Sequence, residues 1–265
     1  MKSGSTKLFL LLTAVLSLTA WGQRNQPMAV AIAVFDEPIL DLEADHLGHL
    51  YLVFNDRLIK TDEYGLEIAR FSRPDLGIPS QVQVQDPMRV LLHYPEFNQM
   101  LLLDNRLNPI RPALSFFDLG MADVPCAALT DEHFLWLFDQ ASDRLLKMDM
   151  RRMEIVFRTP PITQLLQEES QILGLRCNVR GVYLLLEKGL VEFDTMGNFV
   201  RRIPVDAAES FSLGRTIWWV ADQEGLVRSS TKLELELPKG AAWSGTDAQL
   251  FRADGGTLYK LLFSP

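Results

Sequence analysis

The chain has 265 residues, of which 48% are hydrophobic and 23% are charged, and its formal net charge is −8. These are the values of an ordinary globular protein, and they exclude a low-complexity chain. A nucleic-acid binder would need a clustered basic face, which this acidic sequence does not show, so we expect no nucleic-acid partner.

The first segment of the chain has the pattern of an export signal. Lys2 and Lys7 form a positively charged start, and the apolar run LFLLLTAVLSL (8–18) follows with 11 residues. A transmembrane helix needs about 20 apolar residues, so this run is too short to be a membrane anchor. The pattern therefore predicts a signal peptide.

The next residues indicate where the signal peptide is cut. Ala20 and Gly22 are the small residues expected before a cleavage site, which predicts removal of residues 1–22 and a mature chain that begins at Gln23. No cysteine follows the apolar run at a lipoprotein position, and no later run reaches spanning length. We expect an exported protein, periplasmic or secreted, with one domain over residues 23–265 and no transmembrane segment in the mature chain.

One pattern recurs along the rest of the chain: three apolar runs separated by two polar turns. Its copies begin at residues 50, 90, 135, 182, 217 and 249, which gives a period of about 40 residues. The apolar runs are short and rich in Val, Leu, Ile and aromatic residues, so they predict strands. A short run before several copies, such as ILDL (39–42) or SFSL (210–213), supplies a fourth strand.

Four-stranded antiparallel units at this period predict the blades of a β-propeller. The second strand of a copy is apolar at successive positions, as in LYLVF (50–54), which fits a sheet that is covered on both faces. The last copy lacks an outer strand, and the strand-like run AVAIAVF (29–35) is left over at the other end. We predict an all-β, six-bladed propeller closed by residues 29–35, with five or seven blades as the alternatives.

A turn residue marks the end of the third strand in each of the first four copies. The residues at this place are Asp62, Asp104, Asp149 and Asp194, and the fifth copy has Ser230. Asp at the first position of a type I turn accepts hydrogen bonds from the backbone ahead of it, and Gly suits the fourth position. We interpret these aspartates as structural.

The repeat resembles the six-bladed propellers of the NHL and related families. The best match is DHLGHLYLVFNDRLIKTDEYG (45–65), and nearly all of 29–265 follows the plan. The resemblance implies an architecture, similar to that of secreted bacterial propellers with no assigned activity. It carries no catalytic motif over to this sequence.

Two segments depart from the repeat. PPITQLLQEESQ (160–171) predicts a short helix between the third and fourth units, with proline at its start. SRPDLGIPSQVQVQDP (72–87) is interpreted as a long connection.

The two cysteines, Cys126 and Cys177, would either form a disulfide in an oxidising compartment or pack as reduced apolar side chains.

The turns between the second and third strands are acidic. In a propeller they lie around the central channel on the face where binding usually occurs. They contain Asp56, Glu96, Asp139, Asp143, Glu187, Asp222, Glu224 and Asp254. A ring of carboxylates would suit Ca²⁺, or a cationic or polyhydroxylated ligand. The preference of tight turns for Asp explains the same residues without any ligand, so no cofactor is expected and Ca²⁺ is the alternative.

Two carboxylate pairs on this face would fit glycoside hydrolysis if their separation were about 5 to 10 Å. The pairs are Asp139 with Asp143, and Asp222 with Glu224. Any acidic loop has the same appearance in sequence, so the motif is generic.

The four histidines do not indicate a metal or catalytic site on that face. His46 and His49 lie in the first-to-second turn of the first unit, where Asp45 would be a third metal ligand, but this turn is on the opposite face. His93 falls within a strand, and His133 lies in the matching turn of the third unit. A lyase-type propeller would need histidines that converge on the channel face, and these are not expected to converge there.

No nucleophile elbow, phosphate-binding glycine loop or dinucleotide fingerprint is present in the sequence. The tryptophans of the second strands, Trp136, Trp218 and Trp219, are explained by packing between blades. We therefore expect a non-enzymatic binding or scaffolding module of the bacterial cell envelope that presents its loops to a protein or glycan partner. The alternative is a hydrolase or lyase that depends on the carboxylates of the channel face.

Overall fold

The computed structural model describes residues 27–130 and 133–263. These residues form six separate four-stranded antiparallel sheets, and in five of them neighbouring strands follow one another in the chain. The predicted signal peptide (1–22) lies outside the described residues. Within them, no helix has the length and apolar character that crossing a membrane requires.

Strand β1 is Met28–Val34. The first two sheets are β2 (Asp41–Ala44), β3 (Leu50–Val53), β4 (Leu58–Thr61), β5 (Glu67–Phe71), and β6 (Gln81–Asp86), β7 (Arg89–Tyr94), β8 (Gln99–Leu103), β9 (Leu114–Ser115). The next two are β10 (Cys126–Leu129), β11 (Phe134–Asp139), β12 (Arg144–Asp149), β13 (Glu154–Arg158), and β14 (Ile172–Asn178), β15 (Gly181–Leu186), β16 (Gly189–Phe193), β17 (Phe199–Pro204). The last two are β18 (Ala208–Leu213), β19 (Trp218–Asp222), β20 (Leu226–Ser229), β21 (Glu234–Glu236), and β22 (Ala242–Gly245), β23 (Leu250–Asp254), β24 (Thr257–Leu262) with β1. The helix α1 is Ile162–Leu166.

The first strands of the six sheets lie side by side around a common centre. β2 contacts β6 on one side and β22 on the other, and the same neighbour contacts continue through β10, β14 and β18. The sheets are therefore blades of a closed six-bladed β-propeller, as predicted.

The ring is closed by pairing the two ends of the described chain. β1 lies antiparallel to β24, with Met28 opposite Leu262 and Val34 opposite Thr257. This completes the sixth blade and covers an edge that would otherwise expose unpaired backbone groups. The prediction of a closing strand at 29–35 is confirmed, with both ends shifted by one residue.

Apolar side chains fill the spaces between neighbouring blades. Trp136 of the third blade, for example, packs in one cluster with Val182 and Leu184 of the fourth, and all three are buried. The second strands are covered on both faces, since every residue of β15 is buried. Continuous apolar runs in these strands therefore follow from the contact of each blade with two others.

The predicted turn aspartates are structural. Oδ1 of Asp62 accepts hydrogen bonds from the backbone N–H groups of Tyr64 and Leu66, each at 2.9 Å. Asp104 and Asp149 accept similar backbone bonds, which hold their pKa values below the usual range. The pKa of Asp194 is lowered most by the side-chain bond from Asn198, at 2.8 Å, and then by backbone bonds of the same kind. In the fifth blade the equivalent residue is Ser229, whose Oγ accepts from Leu233 N at 3.3 Å, so the prediction of Ser230 was one residue too late.

The two departures from the repeat have different outcomes. Helix α1 confirms the predicted short helix within 160–171. The segment 72–87 is only partly a connection, because β6 occupies its second half and is the first strand of the second blade. Cys126 and Cys177 are both buried, and Sγ of Cys177 donates to the carbonyl oxygen of Leu129 at 2.9 Å.

Candidate functional site

The centre of the ring is closed by polar side chains of the first strands. Gln83 donates to the carbonyl oxygens of Ala127 at 2.6 Å and Leu175 at 2.8 Å. Gln85 reaches the carbonyl oxygen of Leu213, in the fifth blade, at 2.7 Å. These bonds run across the channel from the second blade, so the channel has a hydrogen-bonded interior and a ligand has to bind at one of its mouths.

A buried ion pair lies within this network. The guanidinium of Arg176 on β14 contacts the carboxylate of Glu43 on β2, which also accepts a hydrogen bond from Ser244 Oγ at 3.2 Å. Burial raises the pKa of Glu43 to about 7, against the opposing effect of Arg176. The guanidinium lies over the ring of Phe211, with 5.4 Å between the guanidinium carbon and the ring centroid.

A cavity of about 240 Å³ lies at one mouth of the channel, and we call it the mouth cavity. It is lined by His46, Gln85, Asp86, Pro87, Asn178, Val179 and Arg215. These residues come from the ends of the first strands and the turns that follow them in blades one, two, four and five. Because turns from four of the six blades meet there, the cavity is centred on the ring.

The floor of the mouth cavity is held in place by side-chain amides. Asn178 Nδ2 donates to the carbonyl oxygen of Gly214 at 3.1 Å, and its Oδ1 accepts from Arg180 N at 2.9 Å. Gln85 is fixed by its bond across the channel. The polar groups of the floor are therefore preorganised, which an enzyme site requires.

One wall of the mouth cavity is a charged network. Asp86 Oδ2 accepts from Nε of Arg89 at 2.6 Å, and Arg89 Nη1 lies 3.0 Å from Nδ1 of His133. Since a guanidinium only donates, Nδ1 of His133 is the acceptor and its ring proton is on Nε2. The network joins the second and third blades and fixes the carboxylate of Asp86.

The opposite walls present groups that are open to a ligand. His46 and Arg215 are both exposed, and among the described residues neither makes a hydrogen bond or an ion pair. An imidazole is the most frequent general base or acid in enzymes, and a guanidinium stabilises a developing negative charge. The mouth cavity therefore holds the group types that proton abstraction next to a carbonyl requires.

This arrangement differs from the sequence-based expectation about the histidines. His46 lines a cavity on the ring axis, and His133 is connected to the same cavity through Arg89. Asp45 and His49 do not join His46 in a metal site, because the carboxylate of Asp45 holds Nδ1 of His49 at 2.9 Å. His46 and His133 both lie on the first-to-second-turn face, which we had not expected to be the binding face.

The eight predicted acidic residues are spread over the opposite face. Among the described residues, four of the eight carboxylates are engaged by neighbouring groups. Asp56 accepts from Arg57 at 2.6 Å, and Asp139 accepts from Ser142. Asp222 accepts from the backbone of Glu224 at 3.1 Å and pairs with Arg228 at 3.0 Å. Glu96 lies in a 3₁₀ turn (Pro95–Phe97), and Asp254 ends β23.

The structure brings two of the eight acids to one cleft. Asp143 and Glu187 line a cleft of about 520 Å³ between the third and fourth blades, beside α1, and we call it the α1 cleft. Asp143 accepts two hydrogen bonds from Thr163, at 2.8 Å from N and 2.6 Å from Oγ1. Glu169 and Lys188 also line it. The described residues contain no group of three or more His, Cys, Asp and Glu side chains that would hold a metal ion, and Ca²⁺ binding stays a prediction.

Sequence reasoning missed the residues of the first strands. A signal for them was present: Gln81, Gln83 and Gln85 alternate with valines, and a row of polar residues at every second position indicates one polar face of a strand. Glu43 likewise alternates with the apolar residues Leu42 and Ala44. The pairing of Glu43 with Arg176 carried no such signal, because it depends on the ring.

The chain was compared with known proteins. No protein-family model matches it, and no curated protein matches it significantly. It is similar in structure to a streptogramin B lyase, with a TM-score of 0.62 over 89% of this chain and 98% of that chain, at 9% identity. A catalytically inactive histidine-to-alanine variant of virginiamycin B lyase from Staphylococcus aureus, solved with quinupristin, gives 0.54 over 85% of this chain and 80% of that chain, at 13% identity.

A third similar structure is the WD40 domain of Pan2 from Neurospora crassa, with a TM-score of 0.51 over 89% of this chain and 94% of that chain, at 12% identity. At these identities the likeness shows the propeller fold. It does not confirm the resemblance to the propellers of the NHL family.

The expectation of a non-enzymatic scaffolding module is corrected by these comparisons. The similar structures named above include propellers that are enzymes by their own descriptions, both of them lyases. They favour the alternative of a hydrolase or lyase over the scaffold, and the scaffold prediction was wrong.

Proposed function

We propose that the chain is a lyase that acts at the mouth cavity. The observation that carries the proposal is the meeting of His46, Asp86 and Arg215 in one preorganised cavity on the axis of the ring. The likeness to the lyase propellers supports an enzyme of this type, and the inactive histidine variant of one of them supports a catalytic histidine.

The proposed reaction is an elimination, in which each group has one role. The imidazole of His46 removes a proton from a carbon next to a carbonyl group, and the guanidinium of Arg215 stabilises the negative charge that develops on the carbonyl oxygen. The bond from the neighbouring carbon to the leaving oxygen then breaks, a carbon–carbon double bond forms, and the leaving oxygen takes up a proton. Asp86, held by Arg89, keeps the wall of the site polar and fixed.

The test is turnover by the purified mature chain, read by mass spectrometry. The substrates are virginiamycin B, quinupristin and a panel of esters in which the carbon that bears the leaving oxygen is bonded to a carbon with an acidic C–H beside a carbonyl group. A lyase gives products whose masses add up to that of the substrate, whereas a hydrolase adds one water. We expect elimination, and we expect His46→Ala to lower the rate by about 10²- to 10⁴-fold.

A matched control separates the mouth cavity from the α1 cleft. Glu187→Gln changes the acid of the α1 cleft, and we expect it to leave the elimination rate unchanged. The opposite outcome would be a product that carries one added water, whose formation is abolished by Glu187→Gln and not by His46→Ala. The reaction would then be a carboxylate-dependent hydrolysis on the other face. Absence of any product from the panel would count against an enzyme of either kind.

Export also remains a proposal, supported by the charged and apolar segments before Gln23. An exported enzyme of this kind would meet a glycan or protein of the cell envelope as its substrate. The relationship to secreted bacterial propellers of the NHL type is part of the same proposal. Expression of the full chain, followed by mass analysis of the periplasmic and secreted fractions, should give a product that begins at Gln23. Recovery of the uncut chain in the cytoplasm alone would contradict export.

A further inference from the structure

A second opening lies on the same face as the mouth cavity, between the third and fourth blades. It is a cleft of about 280 Å³, which we call the Lys147 cleft. It shares Asn178 and Val179 with the mouth cavity, so the two are adjacent. A ligand bound at the channel mouth therefore has direct access to this cleft.

The rim of the Lys147 cleft is apolar and exposed. Met196 and Val179 have 66% and 48% of their surface exposed, although both are apolar. Phe134 and Val182 continue the apolar lining, and Trp136 is fully buried at its base. Neighbouring apolar side chains that stay exposed around a cavity are typical of ligand sites.

The cleft also contains a cation without a counter-ion. Lys147 Nζ lies 4.5 Å from the ring centroid of Phe134 and 5.4 Å from that of Trp136. It donates one hydrogen bond, to the carbonyl oxygen of Thr195 at 3.0 Å. An ammonium has three donors, and no carboxylate of the described residues forms an ion pair with Lys147.

The base of the cleft has an unpaired donor of its own. Nε1 of Trp136 is buried and has no hydrogen-bond partner among the described residues. Buried indole N–H groups usually have a partner, because leaving such a donor unpaired costs about 1 to 3 kcal/mol. Positive charge, unpaired donors and apolar walls together favour a ligand that is both apolar and negatively charged.

We propose that the Lys147 cleft binds an aromatic carboxylate, in which the ring contacts Val179 and Met196 and the carboxylate pairs with Lys147. An N-acylated aromatic amino acid has this chemistry. We also propose that this aromatic carboxylate is part of the lyase substrate, whose reacting carbon lies at the mouth cavity, and this part of the inference rests on the proposed function. The binding itself is independent of any reaction.

The experiment measures binding of N-acetylphenylalanine to the mature chain by NMR. The indole N–H signal of Trp136 is assigned as the one that Trp136→Phe removes, and it should shift as the probe is added. N-acetylphenylalanine amide, which lacks the charge, should bind at least tenfold more weakly. Lys147→Met should weaken binding of the charged probe by a similar factor.

Controls separate this inference from the proposed function. Lys188→Met removes a lysine from the α1 cleft and should leave probe binding unchanged, and His46→Ala should also keep it. Probe binding without elimination activity would overturn the lyase and leave the cleft as a ligand site. Elimination activity with no shift of the Trp136 signal, or with equal binding of the amide, would overturn the aromatic carboxylate subsite.

Discussion

Glu43 and Arg176 come from the first and fourth blades and form an ion pair across the centre of the ring. The first and fourth of six blades lie directly opposite each other, so the pair connects two halves of the propeller that share no strand. Its two members respond differently to the loss of the partner, because a carboxylate can take up a proton and a guanidinium stays charged.

The two single replacements in this pair should therefore differ in how much they lower the stability of the protein. Glu43→Gln leaves a largely buried guanidinium without its counter-ion, and we expect it to lower the free energy of unfolding by about 3 kcal/mol or more. Arg176→Met should cost less, because Arg176 holds down the pKa of Glu43 and its loss lets the buried carboxyl group take up a proton and become neutral. Urea unfolding of both single variants and the double variant at pH 8, where the carboxyl group of Glu43 is charged in the unaltered protein, measures the difference. If Arg176→Met costs as much as Glu43→Gln or more, the account of the pair is wrong.

Gly65 gives a test of ring closure. It has φ +85°, and a Cβ added there would lie 2.3 Å from Cβ of Ala33 in the closing strand. We expect Gly65→Ala to lower the free energy of unfolding by about 2 to 4 kcal/mol, from the backbone conformation and the clash together. Denaturant unfolding at one temperature is the measurement.

Two further variants identify the clash as the cause. Gly77 has a similar φ of +67°, but a Cβ added there would meet no atom within 4 Å. Gly77→Ala should therefore lower the free energy of unfolding by only about 1 to 2 kcal/mol. Ala33→Gly removes the opposing Cβ, so the double variant with Gly65→Ala should be more stable than Gly65→Ala alone. If Ala33→Gly gives no such rescue, the closing strand does not pack as described.

The ring was predictable because its determinants are local. The bonds of Asp62 to the backbone ahead of it depend on a few adjacent residues, and the same holds for Asp104 and Asp194. Apolar runs of strand length between such turns then repeat at one period. β6 was missed for a local reason too: its alternate residues are glutamines that face the channel, and a polar run of this kind predicts a connection.

The candidate site was not predictable in the same way. His46, Asp86 and Arg215 come from blades one, two and five, and their meeting depends on how the ring closes rather than on any spacing in the sequence. The acidic turns were correctly placed between second and third strands, but neighbouring groups engage half of their carboxylates, those of Asp56, Asp139, Asp143 and Asp222. Local sequence chemistry therefore predicted the blades, and only the assembled ring identified the cavity.

The prediction of stabilising Ca²⁺ is tested by a chelator. If the acidic turns bound Ca²⁺ in the folded state only, its removal would lower the melting temperature by mass action. Since hydrogen bonds already engage Asp56, Asp143 and Asp222, we expect the melting temperature to stay the same with and without the chelator. A clear decrease that added Ca²⁺ reverses would establish a calcium site.

The two cysteines should behave as buried thiols. Cys126 is 4% exposed and Cys177 is 2% exposed, and burial raises the pKa of the Cys126 thiol well above its usual range. Because the thiolate is the reactive form, a thiol reagent should label neither residue in the native protein and both in denaturant. A count of zero thiols in denaturant without reductant would instead show that the exported chain forms the disulfide.

His93 should make the protein less stable in mild acid. Its ring is fully buried beside Phe116, with 5.8 Å between the ring centroids, and burial lowers its pKa to about 4 from the ordinary 6.5. The unfolded chain therefore binds a proton that the folded chain does not between these two values, and the free energy of unfolding falls as the pH decreases from 6.5 to 4. The full effect is about 3 kcal/mol, since each pKa unit corresponds to about 1.4 kcal/mol.

His93→Leu isolates this contribution. The raised pKa of Glu43 acts in the opposite direction over a similar pH range, so only the difference between the variant and the unaltered protein reports on His93. As the pH decreases from 7 to 4, the free energy of unfolding of the variant, measured with urea, should rise by about 3 kcal/mol relative to that of the unaltered protein. A constant difference for His93→Leu across the range would mean that the buried imidazole takes up its proton as readily in the folded chain as in the unfolded one.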